Sequence, residues 1–222
     1  MKLRDIFTQL TYGELSQVSL GGAAAGAISE ENYPAVVSHI NLGMTALHSR
    51  FALKEGTVSV PLVSGKYTYA LPPDCLKASS VLTASGLELG LNNKGDALAC
   101  STPSASVLRV PVALVEKNPS LPSGLVTDSL SVVYRQSPVP IEINDFGIDP
   151  DFTEVDLPIT HLQALLLFIA ARVHSPGELS GQPLSYNSYF ARYEAECVQL
   201  ENLGLRLDLG GQTNRLQRNG WV

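Results

Sequence analysis

Charge is the scarcest property of this chain. Only 16% of its 222 residues are Asp, Glu, Lys or Arg, while 45% are hydrophobic. Soluble domains usually carry about 25% charged residues. A surface this poor in charge is either covered by other subunits or belongs to a weakly charged monomer. Cysteine is almost missing. Cys75, Cys100 and Cys197 lie far apart without a CxxC, which excludes a disulfide scaffold and a thiolate zinc site. The odd count fits reduced, buried thiols. His39, His48, His161 and His174 form no HxH or HxxxH pair and do not join the cysteines at ligand spacing. No GxSxG, GxxxxGK[ST] or GxGxxG occurs, and Gly21-Gly22 lacks the preceding strand and the lysine of a phosphate cradle. The chain is therefore expected to be no enzyme, with no catalytic residue, no cofactor and no metal. Long apolar runs are absent too. Leu162–Val173 is interrupted by Gln163 and carries Arg172, and is too short to cross a bilayer. The opening MKLRDIFTQL is too short and too charged for a signal peptide. A net charge of −6 argues against wrapping nucleic acid. It leaves open a passage whose acidic wall repels phosphate.

The residues that are present read as an α+β protein. Leu3, Ile6, Phe7 and Leu10 share one helical face. Thr11, with Glu14 three residues on, resembles a capping box for a second short turn. Gly21–Ala27 is a small-residue stretch expected to join these helices loosely to the next segment. Pro34–Arg50 is a predicted helix, with Val37, Ile40, Met44, Leu47 and Phe51 as a seam that is coiled-coil-like or simply a core stripe of one subunit. From Gly56 the period changes to two. Thr57–Val63 and Lys66–Leu71 flank Ser64-Gly65 and predict a hairpin. Leu76–Thr83, Ser106–Val110 and Ser129–Gln136 read as further strands, about five in all, in a small sheet or barrel. Asn92–Asp96 and Asn118–Gly124 read as turn and loop. Helices return at Pro158–His174 and at Ser185–Leu207, with Ser185 as the predicted cap.

These segments give a helical-bundle body, built from residues 1–56 and 151–209, that brackets a β-rich insertion at 57–150. Residues 210–222 come last, as a flexible, extended tail too polar to fold alone. The tail carries Arg215, Leu216, Arg218, Trp221 and Val222. A terminal tryptophan is a good anchor for a partner pocket, so these residues either dock on a partner or neighbouring subunit or stay disordered. Asp145, Asp149, Asp151, Glu154 and Asp156 form an acidic run before Pro158. Paired carboxylates suit a cation or acid–base chemistry, but the run lacks the spacing and glycine of a calcium loop. A solvated linker complementing a helix dipole fits it better. Arg50 and Arg172 either anchor a carboxylate of another subunit or snorkel to the surface.

Four stretches carry a resemblance: LTYGELSQ (Leu10–Gln17), ENYPAVVSHINLGMTALHSRFALKEG (Glu31–Gly56), KYTYALPPDCLKASSV (Lys66–Val81) and DFTEVDLPITHLQALLLFIAARVHSP (Asp151–Pro176). The chain resembles the head-to-tail adaptors, or connector (head-completion) proteins, of short-tailed bacteriophages. The resemblance spans most of the chain to about Leu207 and is weakest over 85–130. It implies a structural virion protein in the neck between head and tail, assembled in the host cytoplasm. Such proteins form a homo-oligomeric ring, typically of twelve, beneath the portal. The ring extends the DNA channel and offers a platform to the tail nozzle or tube. The implied partners are the portal protein, a tail nozzle or tube protein, further copies of the chain, and double-stranded DNA that passes without sequence-specific binding. No membrane is implied. Asp145, Asp149, Asp151, Glu194, Glu196 and Glu201 become candidates for the channel wall, and 210–222 becomes a segment that docks on the portal or braces a neighbour. Two alternatives stand beside this reading: a tail-tube or nozzle protein of similar build, and a hydrolase using the 145–156 carboxylates, against which the missing nucleophile–base pair argues.

Overall fold

The computed structural model describes residues 1–16, 18, 20, 24–93, 95–143, 147–174 and 183–205. Side chains at 123, 183–187, 204 and 205 are not described. The chain is α+β and divides into two units. Among the described residues, one comprises 1–53 and 138–205 and the other 54–137.

The first unit is helical. Helix α1 (Leu3–Tyr12) buries Leu3, Ile6, Phe7 and Leu10, the spacing that lays one apolar stripe along a helix. Its first amides are satisfied from far along the chain. Leu3 N–H donates to the Thr153 carbonyl at 2.9 Å and Arg4 N–H to the Pro150 carbonyl at 3.0 Å. Thr11 lies within this helix, so no capping box opens a second turn there. Helix α2 (Tyr33–Arg50) has Pro34 in its first turn, where the missing N–H costs nothing. The stripe Val37, Ile40, Met44, Leu47 and Phe51 is buried within this unit's own core. Residues 24–27 are tied down: Gly26 N–H donates to the Val18 carbonyl at 2.8 Å, with φ at +79°.

A single turn, Ile159–His161, leads into α4 (Leu162–Val173). Ala164, Leu165, Leu166, Leu167, Ile169, Ala170, Ala171 and Val173 are all buried. A helix apolar on nearly every side belongs in an interior, and α4 packs against α1, α2 and α5 (Pro183–Leu200). α5 starts at Pro183, so Ser185 lies inside its first turn and does not cap it. It faces the core with Tyr193, Cys197 and Leu200 and passes into a wider π-type turn at Glu201–Leu205.

The second unit holds the strands. Among the described residues, β1 (Glu55–Pro61), β7 (Ser129–Gln136), β3 (Cys75–Thr83) and β4 (Glu88–Leu89) form one antiparallel sheet in that order. β2 (Thr68–Ala70), β6 (Val107–Arg109) and β5 (Ser101–Ser104) form another. A short helix, α3 (Val112–Val115), comes after β6. The expected hairpin does not form. β1 pairs with β7 from Glu55↔Arg135 to Pro61↔Ser129, whereas β2 pairs with β6. Alternation specifies a strand and its buried face but not its partner. The Ser64-Gly65 turn is present, with Gly65 at φ +80°, yet it sends the chain from one sheet to the other. Glu116 holds it. The carboxylate accepts from Ser64 Oγ at 2.6 Å, Gly65 N–H at 2.9 Å and Tyr67 Oη at 3.0 Å.

The insertion also ends earlier than expected. Residues 138–143 and 147–150 belong with the helices, because Ile141 and Ile148 pack in the helical core. Polar ties reinforce this: Arg4 N–H donates to the Pro150 carbonyl at 3.0 Å and Ile141 N–H to Asn41 Oδ1 at 2.9 Å.

Candidate functional site

Among the described residues no catalytic constellation assembles. The three thiols are buried and burial pushes each pKa up, that of Cys100 to about 12. Thiols held protonated in this way are poor nucleophiles. His161 is buried edge-on to Phe51, ring centroids 4.7 Å apart. Burial, then the neighbouring His48, lowers its pKa. Among the described residues no group of three or more His, Cys, Asp or Glu side chains is placed to hold a metal. No described helix is long and apolar enough to cross a membrane.

Four of the six acidic residues singled out as channel candidates fall into two pairs with different partners. Glu194 and Glu201 share one cation. Arg50 Nη1 donates to Glu194 at 2.7 Å and Arg50 Nε to Glu201 at 2.8 Å. Burial works against the charge on Arg50, but these two hydrogen bonds outweigh it and hold its pKa above the ordinary value. Arg50 therefore binds carboxylates of its own chain, at the join of α2 and the end of α5. Arg172 is exposed and rests over the Phe168 ring, 5.6 Å from its centre, which is the snorkelling arrangement. Glu196 is half-buried on α5.

Asp149 and Asp151 lie in one turn. Asp149 Oδ1 accepts from Asp151 N–H at 2.9 Å, and Asp151 accepts from Arg4 Nη1 at 2.8 Å. This turn docks on the first turn of α1, so it is a structured part of the helical unit and not a free linker to α4. Asp145 lies outside the described residues, as do Arg215, Leu216, Arg218, Trp221 and Val222.

Beside this turn runs a groove of about 880 Å³. Phe7, Tyr12 and Tyr33 supply its aromatic surface, and Glu30, Asp149 and Asp151 its carboxylates. Phe7 and Tyr33 touch, their centroids 4.9 Å apart. Tyr12 is 83% exposed. Sequence reasoning missed this groove because its residues come from three separate segments. The one local signal was Tyr12, an aromatic off the apolar face of α1. In the strand unit Glu116 was missed as well. Its carboxyl sits below the usual range, held there first by Ser64 and then by the Gly65 amide and Tyr67.

No protein-family model matches this chain, and no curated protein matches it either. Among solved structures it is similar to a chain described as the neck of an empty GTA particle computed with C6 symmetry. The two are 13% identical, the match covers 87% of this chain and 88% of that one, and the TM-score is 0.26. A likeness of that size names a neck component as a distant neighbour and by itself carries no argument about what this chain does.

Proposed function

We propose that this chain is a structural ring protein of a phage-like virion, set beneath the portal and joining head to tail. The observation that supports the reading best is the interrupted helical unit. Two distant parts of the sequence, 1–53 and 138–205, build one core around α4, and the strand-rich unit is inserted between them. That is the build implied by the adaptor-like stretches in the sequence. The low charge supports it from another side, since ring closure would cover subunit flanks through a heterologous contact.

In this reading the work is physical. Copies close into a ring, twelve being the usual number for the family the sequence resembles, and the ring prolongs the DNA channel towards the nozzle or tube. Acidic side chains on the lumen let DNA slide without sticking. Among the candidates on α5 and at its end, Glu196 contributes most to that repulsion, because Arg50 offsets part of the charge of Glu194 and Glu201. The segment at 210–222 tightens attachment to the portal or to a neighbouring copy.

The test is to mix the purified protein with portal rings of its own particle and to image the product. Rings of the chain seated on the portal are expected. If the protein ignores portal rings and instead joins tail tubes or nozzles, the tail-component reading replaces this one. Glu196→Gln should leave rings intact and slow DNA passage. A basic inner wall in the assembled ring would remove the repulsive-channel part alone.

A further inference from the structure

The groove beside α1 and the last residues of the chain have opposite characters. The groove presents three carboxylates against one guanidinium, Arg4, which is already held by Asp151 at 2.8 Å. Glu30 and Asp149, both exposed on the lining, show no ion pair among the described residues. Its aromatic surface ends at Tyr12, whose ring stands almost wholly in water. The only charged side chains in residues 212–222 are Arg215 and Arg218, and this segment holds the chain's single tryptophan, Trp221.

We propose that residues 212–222 of a neighbouring copy dock in this groove. Trp221 lies against Tyr12 and the Phe7–Tyr33 pair, and Arg215 and Arg218 meet Glu30 and Asp149. The inference rests on the ring reading above, since it needs a neighbouring copy. Both halves of the match have a physical basis. An indole is the side chain that gains most from an aromatic, partly dry cleft while keeping a polar N–H at its edge. A guanidinium prefers carboxylates that no other cation has taken. The volume of about 880 Å³ lies within the range of about 300–1,000 Å³ in which pockets enclose a whole ligand. Extended chain advances about 3.3–3.6 Å per residue, so the step from Arg218 to Trp221 spans roughly 10 Å, short enough for rim and floor contacts together. A nucleic acid backbone is the wrong occupant, because the rim would repel it.

Because Trp221 is the only tryptophan, its fluorescence in the full-length protein reads this contact directly. In the assembled oligomer its emission should be blue-shifted and its quenching by acrylamide reduced several-fold relative to the urea-unfolded chain. Two groove variants should restore quenching towards the unfolded level: Tyr12→Ala, and Glu30→Gln with Asp149→Asn. All three positions are exposed, and far-UV circular dichroism should confirm that the fold is kept. Arg215→Gln with Arg218→Gln should act in the same direction. Three results would overturn the proposal. Trp221 is quenched freely in the oligomer; or it is protected and neither groove variant changes that; or protection persists on dilution to monomer, which places the segment on its own copy. Rings that seat on the portal with Trp221 fully quenchable would remove this inference and leave the ring reading standing. A chain that forms no oligomer at all removes both.

Discussion

Asn41 clasps the main chain of Ile141 with both ends of its side-chain amide. Asn41 Nδ2 donates to the Ile141 carbonyl at 3.0 Å, and Ile141 N–H donates to Asn41 Oδ1 at 2.9 Å. The side chain thus stands in for a strand partner one hundred residues away. It fixes the returning chain to α2 where the strand-rich unit has just ended. Asn41→Ala should cost about 1–3 kcal/mol, since two partly buried backbone groups lose their partner. Asn41→Asp keeps the acceptor but sets a carboxylate oxygen against the Ile141 carbonyl, so it should cost at least as much. Urea unfolding measures both, and no change in midpoint for Asn41→Ala would show that the clasp is redundant.

The helical core is the second test. Ile40 and Leu166 are buried in one cluster with Val37, Leu47, Leu165 and Ile169. Truncation of either to alanine should cost about 2–5 kcal/mol. A loss below about half a kilocalorie at both sites would separate the two helical parts of the chain, against the usual cost of a core cavity.

Two glycines mark close approaches that a side chain would block. A Cβ on Gly43 of α2 would lie 2.6 Å from Leu165 Cδ1 and 2.9 Å from Phe168 Cδ1. A Cβ on Gly56 of β1 would lie 2.6 Å from the Tyr134 ring, its direct cross-strand partner. Leu165 and Tyr134 are themselves buried and have little room to move. Gly43→Val and Gly56→Val should each cost about 1–3 kcal/mol through overpacking. Thermal denaturation would show it, and a stabilised Gly43→Val would mean that α2 and α4 can part without loss.

The buried His161 predicts acid sensitivity. Burial first, and His48 second, lower its pKa in the folded state. The unfolded chain therefore takes up this proton first as pH falls. The stabilisation is complete above the unfolded value of about 6.5 and is lost progressively as pH drops through the folded value. His161→Phe, which keeps a ring against Phe51, should flatten the loss of stability between neutral and mildly acid pH. Equal slopes for both proteins would assign the acid sensitivity to other groups.

Arg50 should matter less than its two ion pairs suggest. Its side chain is 26% exposed and that of Glu194 44%, so water screens much of the attraction. Arg50→Met should cost about 1 kcal/mol or less, and less still in high salt. A larger loss would indicate that the π-type turn at the end of α5 depends on Arg50 holding Glu201.

The elements were legible wherever one periodicity ran long enough. The period of 3.6 in α2 and α4, and the alternation of Ser129–Gln136, are strong local patterns, and the structure forms these elements there. Segments without such a pattern were misread. Residues 138–150 have prolines and acids but no period, so they read as part of the insertion. Thr11 and Ser185 have the chemistry of caps, but the helices around them extend past those positions. The groove beside α1 could not be read, since no local pattern links Tyr12, Tyr33 and Asp149.

The sequence alone determined the α+β class, the main helices and the longer strands, because side-chain period and backbone preference act over a few residues. Among the described residues the structure has seven strands where about five were expected, since β4 and β5, like the short α3, are too brief to carry a period. The tertiary structure decided the pairings. Strand partners, the hold of Glu116 on the turn at Ser64-Gly65, the sharing of Arg50 by two glutamates and the clasp of Asn41 on Ile141 all join residues that local pattern leaves independent. They form only once burial of the two cores has brought those residues within hydrogen-bonding distance.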